Sequence, residues 1–168
     1  MRAGARRPAL GARHLAMGIG LAATVARTGS AQQDRAFQNE WRADLFLASS
    51  TTVQAGGGGA WTLDRNVRLV ALGGAGSTFT NGVGQFSARA DLLARYVLDP
   101  DRQDKWALYG EGGLGLRYEA APSWRGVLVA IVGLEGPKWG NWMPFIEAGY
   151  GGGFQLGFGL RRAKARGR

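Results

Sequence analysis

"QFSARADLLARYVLD", residues 85–99, admits two periods. As a helix it gathers Phe86, Ala90, Leu93 and Val97 on one face. As a strand it alternates without a break. Phe86, Ala88, Ala90, Leu92, Ala94, Tyr96 and Leu98 then point one way, and Gln85, Ser87, Arg89, Asp91, Leu93, Arg95 and Val97 the other. The period decides the fold, and the medium that meets the apolar face decides where the protein sits.

Glycine favours the strand. Of 29 glycines, 24 follow residue 31, without a collagen period and often inside alternating segments, as at Gly56 to Gly59. Glycine is costly within a helix and tolerated where strands crowd a barrel wall. Turn signals cut the chain at regular intervals: Asp64-Arg65-Asn66, residues 78–84 ("TFTNGVG"), residues 99–104 ("DPDRQD"), Pro122 and residues 136–141 ("GPKWGN"). Between them lie eight segments: 39–49, 52–63, 67–77, 85–98, 105–118, 124–135, 142–150 and 152–162. Their lengths suit tilted membrane-crossing strands. The expected fold is all-β, an eight-stranded antiparallel up-and-down transmembrane barrel over residues 39–162. No stretch after residue 31 is long and apolar enough for a membrane helix.

The net charge of +9 does not point to nucleic acid, because it is confined to the ends. Residues 1–31 carry five arginines and no acid, and the last eight residues carry five basic residues and no acid. The first segment has a basic start, an apolar run from Leu15 to Ala26 and small residues at Gly29, Ser30 and Ala31, the order of a cleavable secretory signal. Residues 32–38 read as a short lead, and residues 163–168 as a basic tail. There is no cysteine, and the single histidine, His14, lies in the signal.

Alternation is shared by soluble and membrane barrels, with opposite polarity. The aromatic positions separate them. With both termini in the periplasm, Trp41, Trp61, Tyr96, Trp106 and Trp142 fall at the periplasmic end of the apolar phase. Phe86, Tyr118, Trp124, Tyr150 and Phe154 fall at the other end. Two aromatic girdles enclosing an apolar band mark a membrane barrel. The opposite phase carries Arg42, Asp44, Arg89, Asp91, Arg95, Glu111, Arg117 and Glu147, joined by Gln54 and Gln155. Arg68 and Glu135 are further candidates for this phase, but strands 67–77 and 124–135 are nearly apolar on both faces and leave their phase open. An eight-stranded interior is filled by side chains. Charges enclosed there must pair, which predicts a salt-bridged plug.

On these features the chain resembles the small eight-stranded outer-membrane β-barrels of the OmpA/OmpX type, over about residues 38–162. The last strand, "GGFQLGFGLRR", matches part of the polar, glycine, apolar spacing of the family's closing strand, at Gln155, Gly157 and Leu160. It ends on Arg162 and a basic tail where the family usually ends on an aromatic residue. The resemblance implies residence in the bacterial outer membrane, with membrane lipid and the barrel assembly machinery as partners and a monomeric state.

The chemistry available is narrow. Outer-membrane barrel enzymes of the known classes use histidine, and the chain after the signal has neither histidine nor cysteine. Ser-His-Asp, Cys-His and zinc sites are therefore excluded there. A carboxylate pair such as Asp91 and Glu111 has arginine neighbours that favour ion pairing over acid–base work. Glycine-rich stretches at 73–77 and 110–115 lack the following helix and Lys-Ser/Thr of a phosphate loop. The expectation is no enzyme activity, no cofactor and no metal. It leaves a structural or passive scaffold, a small channel or binder of apolar molecules, or a soluble exported barrel holding a ligand. The outward loops, about residues 49–52, 78–84, 119–123 and around 151, are short for an adhesin.

Overall fold

The computed structural model describes residues 37–100, 104–119 and 123–162. They form eight strands: β1 (Phe37–Leu47), β2 (Thr51–Thr62), β3 (Val67–Thr80), β4 (Val83–Val97), β5 (Ala107–Glu119), β6 (Ser123–Glu135), β7 (Trp142–Tyr150) and β8 (Phe154–Arg162). Each pairs antiparallel with the next, and β8 returns to β1, closing an up-and-down barrel. The proposed signal and the basic tail lie outside the described residues. The opening stretch is strand: Ser87, Arg89, Asp91, Leu93, Arg95 and Val97 face in, while Ala90, Leu92, Ala94 and Tyr96 face out.

The register fixes the barrel's shape. Pairing runs from Phe37 to Trp61, Leu69, Ala94, Gly112, Ala130, Tyr150 and Phe154, and returns to β1 at Leu47, ten residues beyond its start. A stagger of about 33 Å around a circumference of about 38 Å requires the strands to tilt by about 41°.

The observed strands shift several boundaries expected from sequence. β1 begins at Phe37, so Phe37 and Gln38 belong to the barrel and not to a lead. The inward period extends backward through Glu40 and Gln38, both buried, and these positions pair with β2. Trp41 consequently lies four residues inside the strand, and Phe37 takes the end position, its ring 5.2 Å from that of Trp61. Trp106 precedes β5, which begins at Ala107. Residues 78–84 are no loop. β3 and β4 continue to Thr80 and Val83 around a two-residue turn, Asn81-Gly82, with φ of 51° and 81°. Asn-Gly accepts two positive φ values at little cost, and such a turn matches the strands' twist.

Inside, the residue types divide. Ala60, Val70, Leu72, Leu93, Val129 and Ile131 form an apolar cluster from β2, β3, β4 and β6. This assigns the two strands left open by sequence: even positions of β3 and odd positions of β6 face in, carrying Arg68 and Glu135 with them. The outside is apolar, with Leu92, Leu114, Leu128 and Val132 each more than half exposed.

Candidate functional site

All eight charged residues picked out by alternation lie inside the barrel and are buried: Arg42, Asp44, Arg89, Asp91, Arg95, Glu111, Arg117 and Glu147. Glu40, Arg68, Glu135 and Arg161 join them, so the buried charges among the described residues are six arginines and six carboxylates. A balanced set is what enclosure demands, since the interior of a narrow barrel offers little water to solvate an excess.

Arg161 is the hub. Its Nε donates to Glu40 Oε2 at 2.7 Å, its Nη1 to Glu135 Oε2 at 3.0 Å and its Nη2 to the Tyr109 hydroxyl at 2.8 Å. Glu111 and Glu147 lie 3.5 and 3.7 Å from the same Nη2. The guanidinium stacks over Phe145 at 4.0 Å and Tyr109 at 4.4 Å. Tyr109 in turn donates to Glu147 Oε2 at 2.8 Å. Aromatic faces hold the cation's plane while its edge is spent on carboxylates, the geometry that suits arginine better than lysine.

Around this hub the other ions interlock. Arg95 donates through Nη2 to Glu40 Oε2 at 2.7 Å and through Nε to Glu111. Arg42 holds Asp44 through two nitrogens, with Nη2 to Oδ1 at 2.7 Å and Nε to Oδ2 at 2.9 Å. It also donates to Glu40 at 3.2 Å and to Glu147. Towards the end of the lumen opposite Phe37 and Arg162, Arg89 donates to Asp44 and Arg117 to Asp91. Both arginines lie 5.3 Å from the Phe46 ring. Gln155 donates to Asp44 Oδ1 at 3.1 Å, and Gln54 to the Ser87 hydroxyl at 3.1 Å.

Glycines make the space. A Cβ on Gly157 would meet Asp44 Oδ1 and Glu147 Oε1 at 2.8 Å each, and one on Gly115 would strike Asp91 and Arg117. The network thus fills the cross-section where these strands omit side chains.

Asp91 and Glu111 are not brought together as a catalytic pair. Asp91 stands opposite Gly115 and Glu111 opposite Arg95, and each carboxylate has its own arginines. No group of three or more His, Cys, Asp or Glu is arranged to hold a metal among the described residues.

Arg161 corrects the sequence reading most. Its place among five terminal basic residues hid it, but it shares the odd phase of Gln155 and Gly157 and is fully buried, while its neighbour Arg162 is exposed. Glu40 was missed although it shares the phase of Arg42 and Asp44. The inward aromatics Phe46, Tyr109 and Phe145 carry no signal beyond that same period.

The girdle residues all project outward from the wall. Trp41, Phe86, Tyr96, Trp106, Trp124 and Tyr150 are more than half exposed, and Trp61, Trp142 and Phe154 somewhat less. Tyr118 is half-buried between Phe86 and Trp124, with ring centroids at 6.2 and 5.5 Å.

No protein-family model and no curated protein matches the chain. Among solved structures it is similar to the N-terminal β-barrel domain of Pseudomonas aeruginosa OprF, with a TM-score of 0.54 and 17% identity. The match covers 75% of this chain and 95% of that one. At this identity the likeness speaks to fold, and the closed register speaks to the same fold independently: the chain is a small eight-stranded barrel of the OmpA/OmpX type in architecture.

Proposed function

We propose that the protein is a barrel of the bacterial outer membrane, exported by its N-terminal segment, whose lumen is sealed by the arginine–carboxylate network. It serves as a structural element or passive scaffold without enzyme activity. The observation that carries this reading is the inverted polarity of the wall. Twelve charges are buried inside, while leucine, valine and aromatic side chains cover the outside. A soluble barrel with a ligand would be built the other way, since continuous exposed apolar surface is unfavourable in water. In a bilayer the outer face needs no cover and the closed register leaves no lipid-exposed edge where the strands are paired. Membrane lipid is then the main partner, the barrel assembly machinery the catalyst of insertion, and the monomer the working unit.

Filling by side chains disfavours the channel. The rejected alternatives, an enzyme or a general porin, would need reactive groups or a wet continuous path. Neither is supplied by arginines and carboxylates that occupy one another.

Cell fractionation tests the placement. The chain is expected in the outer-membrane fraction, migrating as a compact folded band on gels until heated. Recovery as a soluble periplasmic protein would refute the reading.

A further inference from the structure

Three arginines stand abreast at the outer end of the lumen. Arg89 on β4 is directly opposite Arg117 on β5, and Arg117 is directly opposite Arg125 on β6. Like charges in such positions repel. Deeper in the lumen, Arg42, Arg68, Arg95 and Arg161 share five carboxylates: Glu40, Asp44, Glu111, Glu135 and Glu147. At the outer end Arg125 is paired with Glu119 at 3.4 Å, and Arg89 and Arg117 have only Asp91 to themselves, because Asp44 is held by Arg42 and Gln155 as well. Nε and Nη1 of Arg89, and Nε and Nη2 of Arg117, have no hydrogen-bond partner among the described residues. Yet the two side chains are only 0% and 3% exposed. Buried guanidinium donors left idle are costly, and the oxygens of an anion are the groups that satisfy them best.

The wall opens beside them. β6 pairs with β7 only from Ala130 to Glu135, although it pairs with β5 from Ser123 onward. Residues 123–129 thus rise past the β7–β8 turn by roughly 11–14 Å along the barrel axis, with no strand partner on that side among the described residues. β7 itself, nine residues long, reaches about 22 Å, short of an apolar band about 25 Å tall. The floor of this notch is Gly151 and Gly152. A Cβ on Gly151 would lie 3.0 Å from Arg117 Nη2, and one on Gly152 would lie 3.0 Å from Val127 and 3.8 Å from Arg125 Nη2. The idle nitrogen of Arg117 therefore ends at the notch. On the outer face a shallow apolar groove of about 610 Å³, lined by Leu92, Leu114, Leu116, Gly126 and Leu128, reaches the residue next to Arg125 in the chain.

We infer that Arg89, Arg117 and Arg125 form a site for the anionic head, phosphate or carboxylate, of an amphiphile in the outer leaflet, admitted sideways through the notch above the β7–β8 turn. Arg117 and Arg125 reach the opening, Arg89 stands beside Arg117 on the next strand, and the groove gives the apolar chain a bed. The inference rests on the membrane placement above. Its test uses purified folded protein in neutral maltoside micelles, so a negative result would not bear on where the protein resides in the cell.

The arginine Nε–Hε signals of labelled protein are followed while dodecyl phosphate or inorganic phosphate is added. Dodecyl phosphate is expected to shift the Arg89 and Arg117 signals saturably, at concentrations at least tenfold below those needed for inorganic phosphate. Arg117→Gln should abolish the response. Arg125→Gln, at a side chain 59% exposed and so without consequence for folding, should weaken it at least threefold. Equal affinities for the two phosphates would contradict entry from the lipid side. No saturable shift with either, or undiminished binding by Arg125→Gln, would overturn the site.

Discussion

Arg161 and Glu40 face each other across the seam where β8 closes on β1, with Nε donating to Oε2 at 2.7 Å. The contact joins the last strand to the first and places the hub of the charge network at the point of closure. Removing one partner of a buried ion pair strands the other. Arg161→Gln is therefore expected to cost about 3–5 kcal/mol, read from urea unfolding in micelles. Arg162→Gln, the next residue and outward-facing, should leave the midpoint where it is. Equal effects would mean that closure does not depend on the ion pairs.

Leu92 and Leu93 are adjacent and lie on opposite faces. Leu92 is 54% exposed near the middle of the wall, and Leu93 is packed in the inner cluster with Val70 and Leu72. Leu93→Ala should cost about 2–5 kcal/mol, because it leaves a cavity. Leu92→Ala should cost far less, whereas Leu92→Arg should cost about 2–4 kcal/mol at the bilayer midplane. Refolding titrations into lipid vesicles check the order. Tolerance of Leu92→Arg would mean that the outer face meets water.

Gly157 and Gly126 test the role of missing side chains. Gly157→Ala pushes a methyl against Asp44 and Glu147 and is expected to cost about 1–3 kcal/mol by overpacking. Gly126 has nothing within 4 Å of a new Cβ, so Gly126→Ala should be neutral or gain up to about 1 kcal/mol by restricting the unfolded chain. The same unfolding titration compares the two.

Much of this architecture was legible because a strand's period is strict. Once residues 85–99 are read at period two, the faces of Arg89, Asp91 and Arg95 follow, as do those of the outward aromatics. What the period does not carry is the stagger around the barrel, so it could not pair Arg161 with Glu40 from opposite ends of the chain. Arg161 was also masked by its basic neighbours, which share its charge but not its surroundings. Where both faces were apolar, as on β3 and β6, the period was silent. There Arg68 and Glu135 were assigned only by their cross-strand neighbours. The Asn81-Gly82 hairpin was hidden by reading its polar and glycine flanks as loop, although the dipeptide itself is a strong two-residue turn signal.

The most direct test of a sealed barrel is the conductance of the purified protein in planar bilayers. With the lumen sealed as proposed, by arginines and carboxylates that pair across it, the intact protein is expected to show no steady current. Glu111→Ala and Arg89→Ala should destabilise the barrel, and any leak should appear in these variants alone. A large, stable, ion-selective current from the unmodified protein would contradict the sealed lumen.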